Sequence, residues 1–462
     1  MPGWDVYDEY KFFWSYHSVD NHQVRPVISA AAAACITLLF ALPACSGGES
    51  LGPMARIIKI AVDLPLTGGE GRAGVSTLNG VRLFVHRHPT LDGFNIVVDA
   101  RDDGGAATRD ASRGVQNLQA FIADPQVLAM IGPFDSSVAR AQIPSANLAH
   151  LAMVSPATSS RCLTKEPFLP AALNPSRAAI SCTAAGLPSP SELRPTGVNN
   201  YFRLSTTDEL QGPAAADYAS KRLKLRRVAV LSDNEAYGQA LAKSFIARFI
   251  HHGGSVVAIQ EVDPSKTLDL IAFLRRAKND GAQGLYFGGA SSDGGCAVRR
   301  QMATVFDVGR ATPLLGGDGI ALDPACVRDA GANAFGIYAT VPAADAERID
   351  SAQPVIAAFK SQYGRPGDFG PYTIAAYDAT GVVYDALDRA ITASAGNMPA
   401  RDSVVAELAA TTAFSGATGV FGFDAAGDTT LRLLSIFEPA GPNPLSGWKW
   451  VDTVNYSAAL PY

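Results

Sequence analysis

From residue 57 onward, apolar runs of strand length alternate with longer segments whose apolar positions recur every three or four residues. Ile57–Leu64, 95–100, Val127–Ile131 and Ala152–Ser155 read as strands, separated by helices over 76–86, 108–124 and 137–148. The rhythm restarts at Tyr201, with strands over 228–231, 256–260, 284–287 and 313–315 and helices over 210–222, 238–253, 268–280 and 297–306. Strands this apolar, each followed by a helix, predict parallel sheets covered on both faces. Two consecutive blocks of the pattern predict two similar lobes. A third segment, helical over 350–363 and 372–393, ends in a strand and turn at Phe421-Gly422-Phe423-Asp424 and Gly427-Asp428. It is too short for a domain and is expected to return to the earlier lobes, making both discontinuous. No repeat at solenoid periods interrupts this reading.

Ahead of the alternating region lies an uncharged stretch from Val27 to Ala44, closed by Leu42-Pro43-Ala44-Cys45. Ala31 to Ala34 and the Ile-Thr-Leu-Leu-Phe that follows Cys35 are hydrophobic all round, which argues against an amphipathic core helix. Small residues just before a cysteine at the end of such a stretch resemble a bacterial lipoprotein signal. Cleavage would leave Cys45 as the lipidated first residue and place the rest of the chain outside the cytoplasm. The competing expectation is an uncleaved anchor, since about 17–25 apolar residues cross a bilayer. Residues 1–23, rich in aromatics and acids, stand where a signal peptide carries a short basic segment. A start at Val24 would leave Val24-Arg25-Pro26 as that segment, and peptide mapping of the unprocessed precursor checks it.

Composition narrows the function classes. With 47% apolar and 18% charged residues the chain is globular, and a net charge of −5 offers no footprint for nucleic acid. The basic run from Lys221 to Arg227 reads as a helix C-terminus presenting cations to the dipole. Of six cysteines, Cys35 lies in the signal and Cys45 is the lipid site, leaving Cys162, Cys182, Cys296 and Cys326. An even set in an exported protein argues for disulfides. Three connectivities are open, and proximity in sequence favours Cys162–Cys182 with Cys296–Cys326. No metal-like Cys or His spacing appears, and neither a Ser/His/Asp set nor a Gly-x-Ser-x-Gly elbow, so no cofactor, metal or catalytic residue is expected. His86 with His88 and His251 with His252 read as solvated helix ends.

One glycine-rich motif, Gly69-Glu70-Gly71-Arg72-Ala73-Gly74, matches a dinucleotide fingerprint. Pro65-Leu66-Thr67-Gly68 intervenes between strand and glycines, however, and Asp99 lies farther along than the usual spacing of about 20 residues. Stronger signals sit at the C-terminal ends of apolar strands, where open α/β sheets bind ligands. Ile131-Gly132-Pro133-Phe134-Asp135-Ser136-Ser137 ends a strand and opens a helix whose first N–H groups are free to meet an anion. Val154-Ser155-Pro156-Ala157-Thr158-Ser159 is expected to repeat that geometry at the next strand. Two such starts side by side would suit a carboxylate; either alone reads as ordinary capping.

In this order and spacing the residues resemble the type I periplasmic binding proteins, within them the leucine/isoleucine/valine-binding proteins of branched-chain amino acid importers. The resemblance rests on Ile58 to Leu64 with Thr67-Gly68, Asp99 to Asp103, Ile131-Gly132-Pro133, Ser155-Pro156-Ala157-Thr158 and Phe202-Arg203. It continues through Asp208 to Pro213, Tyr237-Gly238, Tyr286 to Gly289, Gly316 to Gly319, Tyr372 to Tyr377 and Gly422 to Asp428. The resemblance implies an α/β, two-lobed clamp, each lobe a mostly parallel sheet flanked by helices. Three inter-lobe crossings would fall near 206–208, 340–342 and 424–431. The implied organisation is an extension and signal over 1–44, a tether over 45–55, lobe 1 from 56–206 and 343–424, and lobe 2 from 207–342 and 425–462.

The same resemblance assigns the ligand carboxylate to Ser136, Ala157 and Ser159 in lobe 1, the ammonium to Asp318, and a closing ring to Tyr237. Burying both charges of a zwitterion is tolerable only when each is paired, and splitting the two halves between lobes makes the ligand the closing clip. Two positions that carry tyrosines in the branched-chain binders align with Ala73 and Ala290, and Asp318 is one methylene shorter than the usual glutamate. A larger or different side chain is therefore expected, and Cys162–Cys182 with the following 183–199 looks like an insertion near the hinge. The implied partners are a small amino-acid-like ligand, an ABC permease and, through the lipid on Cys45, a membrane. A ligand sensor without transport is the alternative, which neighbouring permease and ATPase genes, or kinase and cyclase genes, would separate.

Overall fold

The structure, a computed structural model, describes residues 56–68, 70–105, 110–233, 235–263, 269–291, 294–307, 311–364 and 369–462. Cys45, the signal and the tether lie outside the described residues. The first half builds β1 (Ile57–Leu64), α1 (Gly71–Arg87), β2 (Thr90–Leu91), β3 (Phe94–Asp102), α2 (Ala111–Ala123), β4 (Val127–Ile131), α3 (Ser136–Leu148), β5 (Ala152–Ser155) and β6 (Tyr201–Arg203). These strands form a sheet in the order β2-β3-β1-β4-β5-β6. Every pair is parallel except the short β2–β3 edge.

The second block contributes α4 (Gln211–Lys221), β7 (Arg227–Asp233), α5 (Ala236–His251), β8 (Ser255–Val262), α6 (Ile271–Asn279), β9 (Leu285–Gly288), α7 (Ala297–Val305), β10 (Leu314–Gly316), α8 (Pro324–Ala330) and β11 (Ile337–Val341). The chain then runs through α9 (Gln353–Gln362), α10 (Thr373–Ala393), α11 (Arg401–Ala409), the hairpin β12 (Phe414–Gly416) and β13 (Gly419–Phe421), and finally β14 (Leu433–Pro439) and β15 (Trp448–Asn455). The second sheet runs β15-β14-β11-β10-β9-β7-β8, with β14 and β15 antiparallel at its edge.

Alternation of side chains along each strand explains why both faces are covered. Ile58, Ile60, Val62 and Leu64 of β1 pack under α10 and α11, whereas Ala61 faces Leu118, Phe121 and Ile143 of α2 and α3. In the second sheet Leu231 and Phe287 face the α6–α8 layer, while Val230 and Tyr286 face α5. The third segment returns as expected: α10 and α11 cover the first sheet, and β14 extends the second. The helix predicted over 76–86 begins earlier, at Gly71. A Cβ on Gly74 would stand 1.9 Å from the Pro65 carbonyl oxygen and one on Gly71 3.1 Å from that of Leu66, so these two glycines serve close packing of helix on loop.

Both disulfides favoured by proximity are present, Cys162–Cys182 and Cys296–Cys326. Three segments cross between the lobes and are hydrogen-bonded to one another. Thr206 N donates to Pro342 O (2.8 Å), Ser435 N to Ala343 O (3.1 Å) and Thr206 Oγ1 to Leu433 O (3.0 Å). Among the described residues, no helix is long and apolar enough to cross a membrane.

Candidate functional site

The carboxyl ends of both sheets face the crossings, and the loops there carry all five residues singled out for ligand binding. Asp318 follows β10 and Tyr237 opens α5. The Tyr237 hydroxyl donates to Asp318 Oδ1 at 2.5 Å and accepts from Gly319 N at 3.1 Å. Besides the local N–H groups of Asp318 and Gly319, the Asp318 carboxylate is held by a ring and an amide.

That amide belongs to Gln211, the first residue of α4 and fully buried. Its Nε2 donates to Asp318 Oδ1 (2.8 Å) and to Asp208 Oδ1 (3.0 Å), while its Oε1 accepts from Asp318 N (3.0 Å) and Thr340 Oγ1 (3.1 Å). All four hydrogen-bonding positions of the side chain are used, so Gln211 is locked and sets the two carboxylates facing one donor. Burial pushes Asp208 upward, with the Asp318 charge adding to it. Burial likewise raises Asp318, against the hydrogen bonds from Tyr237 and Gln211. Two neighbouring carboxylates desolvated together favour a proton or a cation between them.

On the opposite side, Ser136 is the first helical residue of α3, and its Oγ accepts from Ser160 N at 3.2 Å. Ser159 O accepts from Asp208 N (2.9 Å), and the Ser159 hydroxyl bonds the Asp208 carboxylate, which joins the Ser159 loop to the Asp208–Gln211 side. The second helix start expected at Ser155 does not form. Ser155 Oγ captures the N–H groups of Ala157 (3.3 Å) and Thr158 (3.0 Å), and the segment stays irregular until a short 3-10 turn at Arg161–Leu163. The 3.3 Å contact is long, so the Ala157 N–H is only weakly held.

Apolar contacts close the cleft. Ala157 and Tyr372 pack with Val341, Ala343 and Phe437, and Phe134, Ala321 and Leu322 abut them. Tyr372 meets Phe134 edge-on at 5.2 Å. Burial raises the Tyr372 hydroxyl, as do the charges of Asp318, Asp208, Glu70 and Asp135, which places that ring among carboxylates from both sides. Among the described residues no group of three His, Cys, Asp or Glu side chains could hold a metal ion.

With that geometry in place, the family model described as periplasmic binding protein matches residues 57–439. The chain belongs to the periplasmic binding protein family. These proteins bind solutes and are not enzymes. The chain is 33% identical over 199 residues to the Leu/Ile/Val-binding protein homolog 3 of Brucella melitensis, covering 43% of this chain and 51% of that one. It therefore spans about half the length of that relative. It also superposes on the branched-chain amino acid transporter substrate binding protein of Streptococcus pneumoniae in complex with isoleucine. That match has a TM-score of 0.64 at 20% identity and covers 87% and 99% of the two chains. The solute binding protein of Rhodopseudomonas palustris in complex with 3,4-dihydroxy benzoic acid has a TM-score of 0.60 at 21% identity, covering 86% and 97%. At these identities both structures speak to the fold alone.

Three residues of this periplasmic binding protein's cleft escaped the reading of the sequence: Asp208, Gln211 and Tyr372. Each lay inside a segment that carried the resemblance, and an acid with an amide three residues later, directly after a crossing, was the available signal.

Proposed function

We propose that this protein is the extracytoplasmic, lipid-anchored solute-binding component of an ABC importer and captures an amino acid or related small carboxylate between its lobes. The observation that carries the reading is the carboxylate pair Asp208 and Asp318, held on one Gln211 amide beside Tyr237 and facing the loops of Ser136, Ala157 and Ser159. A ligand ammonium fits between the two acids, and its carboxylate then meets the hydroxyls and N–H groups opposite. A benzoate-like ligand has no cation to offer that pair, which favours an amino compound. Lobe 1 is assigned to 56–206 and 343–424, and lobe 2 to 207–342 and 425–462. The 45–55 tether keeps the clamp near its permease.

Isothermal titration of the exported chain against amino acids and aromatic acids tests the ligand class. Asp318→Ala is expected to weaken an amino-acid ligand by about 3–5 kcal/mol, because a buried ammonium loses its partner. Binding of aromatic acids with no response to any amino acid would overturn the assignment. Anchoring is checked by incorporation of labelled palmitate, which Cys45→Ala is expected to abolish.

A further inference from the structure

A second group of acids lies at the carboxyl edge of the first sheet, beyond those that suit the ligand's ammonium. Asp103 follows the C-terminal end of β3, and its residue is fully buried. Neither carboxylate oxygen of Asp103 has a hydrogen-bond partner among the described residues. Its backbone is used, N–H to Leu64 O (3.1 Å) and C=O from Asp110 N (2.8 Å), so the position is built rather than loose. Asp63 ends β1 nearby but is satisfied by Asn117 and Gln142, and Asp102 by Thr67, Leu66 N and Gly104 N. Of these three acids, Asp103 is the one whose carboxylate has no donor among the described residues. Leaving such a group buried and unpaired is costly unless something else supplies the donor.

The place is a binding position by topology. β3 and β4 lie on opposite sides of β1, so the carboxyl ends of these three strands flank the point where the strand order reverses. Glu70, ahead of α1, and Asp135, ahead of α3, stand at that same edge. Among the described residues, the cations near the group include Arg140 beside Asp135, Arg101 beside Asp63 and Arg113 on Asp102. Burial pushes Asp103 up to about 8, and Asp63, Asp135, Asp102 and Glu70 all add to the rise. Glu70 and Asp135 also act on the Tyr372 hydroxyl, together with Asp208 and Asp318, which links this edge to the ammonium site.

We propose that the ligand is an amino acid with a cationic side chain, whose terminal ammonium or guanidinium is received by Asp103 at the β1–β3–β4 edge of lobe 1. This rests on the amino-acid reading above and specifies its side chain. A metal ion is a poor occupant, since the described residues hold no group of three acids converging on one point. An extended organic cation needs only one or two oxygens within hydrogen-bond reach.

Titration of the exported chain with lysine, arginine and ornithine against norleucine and leucine tests it, norleucine being lysine's near-isostere without the charge. Lysine or its cationic relatives are expected to bind about 10- to 100-fold tighter than norleucine, the range a charge-assisted hydrogen bond supplies. Asp103→Asn keeps the shape and is expected to erase most of that preference while leaving norleucine affinity in place. Should that variant fail to fold, titration of the unaltered protein in buffers of different ionisation enthalpy gives an independent readout. A proton is expected to be released with lysine and none with norleucine. Leucine or norleucine binding as tightly as lysine overturns this inference and leaves the amino-acid reading standing. No response to any amino acid overturns both.

Discussion

Arg203 and Asp428 connect the first crossing to the third, and removing the Asp428 carboxylate tests how much that connection holds. Arg203 is fully buried, with Nε 2.8 Å from Asp428 Oδ1. Its other nitrogens bind Ser160 O (2.7 Å) and Thr164 Oγ1 (2.6 Å), so the guanidinium also fixes the irregular segment that carries Ala157 and Ser159. Lys165 Nζ reaches Asp428 Oδ2 at 2.8 Å and Asp424 Oδ2 at 2.6 Å. Asp428→Ala leaves Lys165 with Asp424 but strips the buried guanidinium of its direct counter-charge. Breaking a buried pair from one side costs about 3–5 kcal/mol, against about 0–1 kcal/mol for an exposed pair.

Urea unfolding with both disulfides intact measures that loss. The cycle completed by Arg203→Met and the double variant Arg203→Met with Asp428→Ala isolates the pair. The double variant is expected to be less destabilised than the sum of its parts. A loss below about 1 kcal/mol for Asp428→Ala, or strict additivity, would refute the reasoning. The pH dependence follows with a definite sign. Burial alone would push Asp428 up, but Arg203 and Lys165 more than offset it and hold the carboxyl at about 2. Its folded value lies below the unfolded one, so this contribution is complete above about pH 4 and disappears as pH falls toward 2. Asp428→Asn should weaken that acid dependence.

Asp63 and Asp103 carry the opposite sign: burial lifts them to about 7 and about 8, so the folded chain holds protons that the unfolded chain releases. Without ligand, stability should fall as pH rises from about 4 to about 8, and Asp103→Asn should flatten the upper part of that slope in urea midpoints. Replacing Cys296 and Cys326 together by serine, which opens a loop of 30 residues, should lower stability by about 2–4 kcal/mol, read as the loss of unfolding free energy under oxidising conditions. An unchanged midpoint would mean that α7 and α8 hold each other without the link. In Gly238→Ala, the new Cβ would stand 2.0 Å from Asp233 Oδ1 and 2.5 Å from Gly288 O. A loss of about 1–3 kcal/mol is expected, along with weaker ligand binding through the neighbouring Tyr237.

Much of this architecture was legible in the order of residues, because burial on both faces forces parallel strands into short apolar runs. Val127–Ile131 and Ala152–Ser155 need no partner in view to be recognised. Cysteine spacing in an exported chain likewise favoured the two links that form. β14 and β15 were missed because they join the second sheet antiparallel, β15 at its edge and β14 between β15 and β11. Ser435 and Glu438 are buried within β14, where they blur its apolar pattern, and only pairing with β11 and β15 makes it a strand. The second helix start was misread because Ser155 Oγ and Arg203 claim the backbone groups a helix would have used.

The site divides in the same way. Ser136, Tyr237 and Asp318 could be picked out because each sits at a strand end or helix start, a local feature of the chain. Asp208, Gln211, Tyr372 and Asp103 could not, since each owes its character to neighbours far away in sequence. Gln211 and Asp318 are 107 residues apart, and Arg203 and Asp428 are 225. Local pattern determines which segments become strands and helices, because hydrogen bonding and burial act along the chain. Which carboxylates end up desolvated and facing one another is decided only when the lobes pack, because desolvation and charge depend on three-dimensional neighbours.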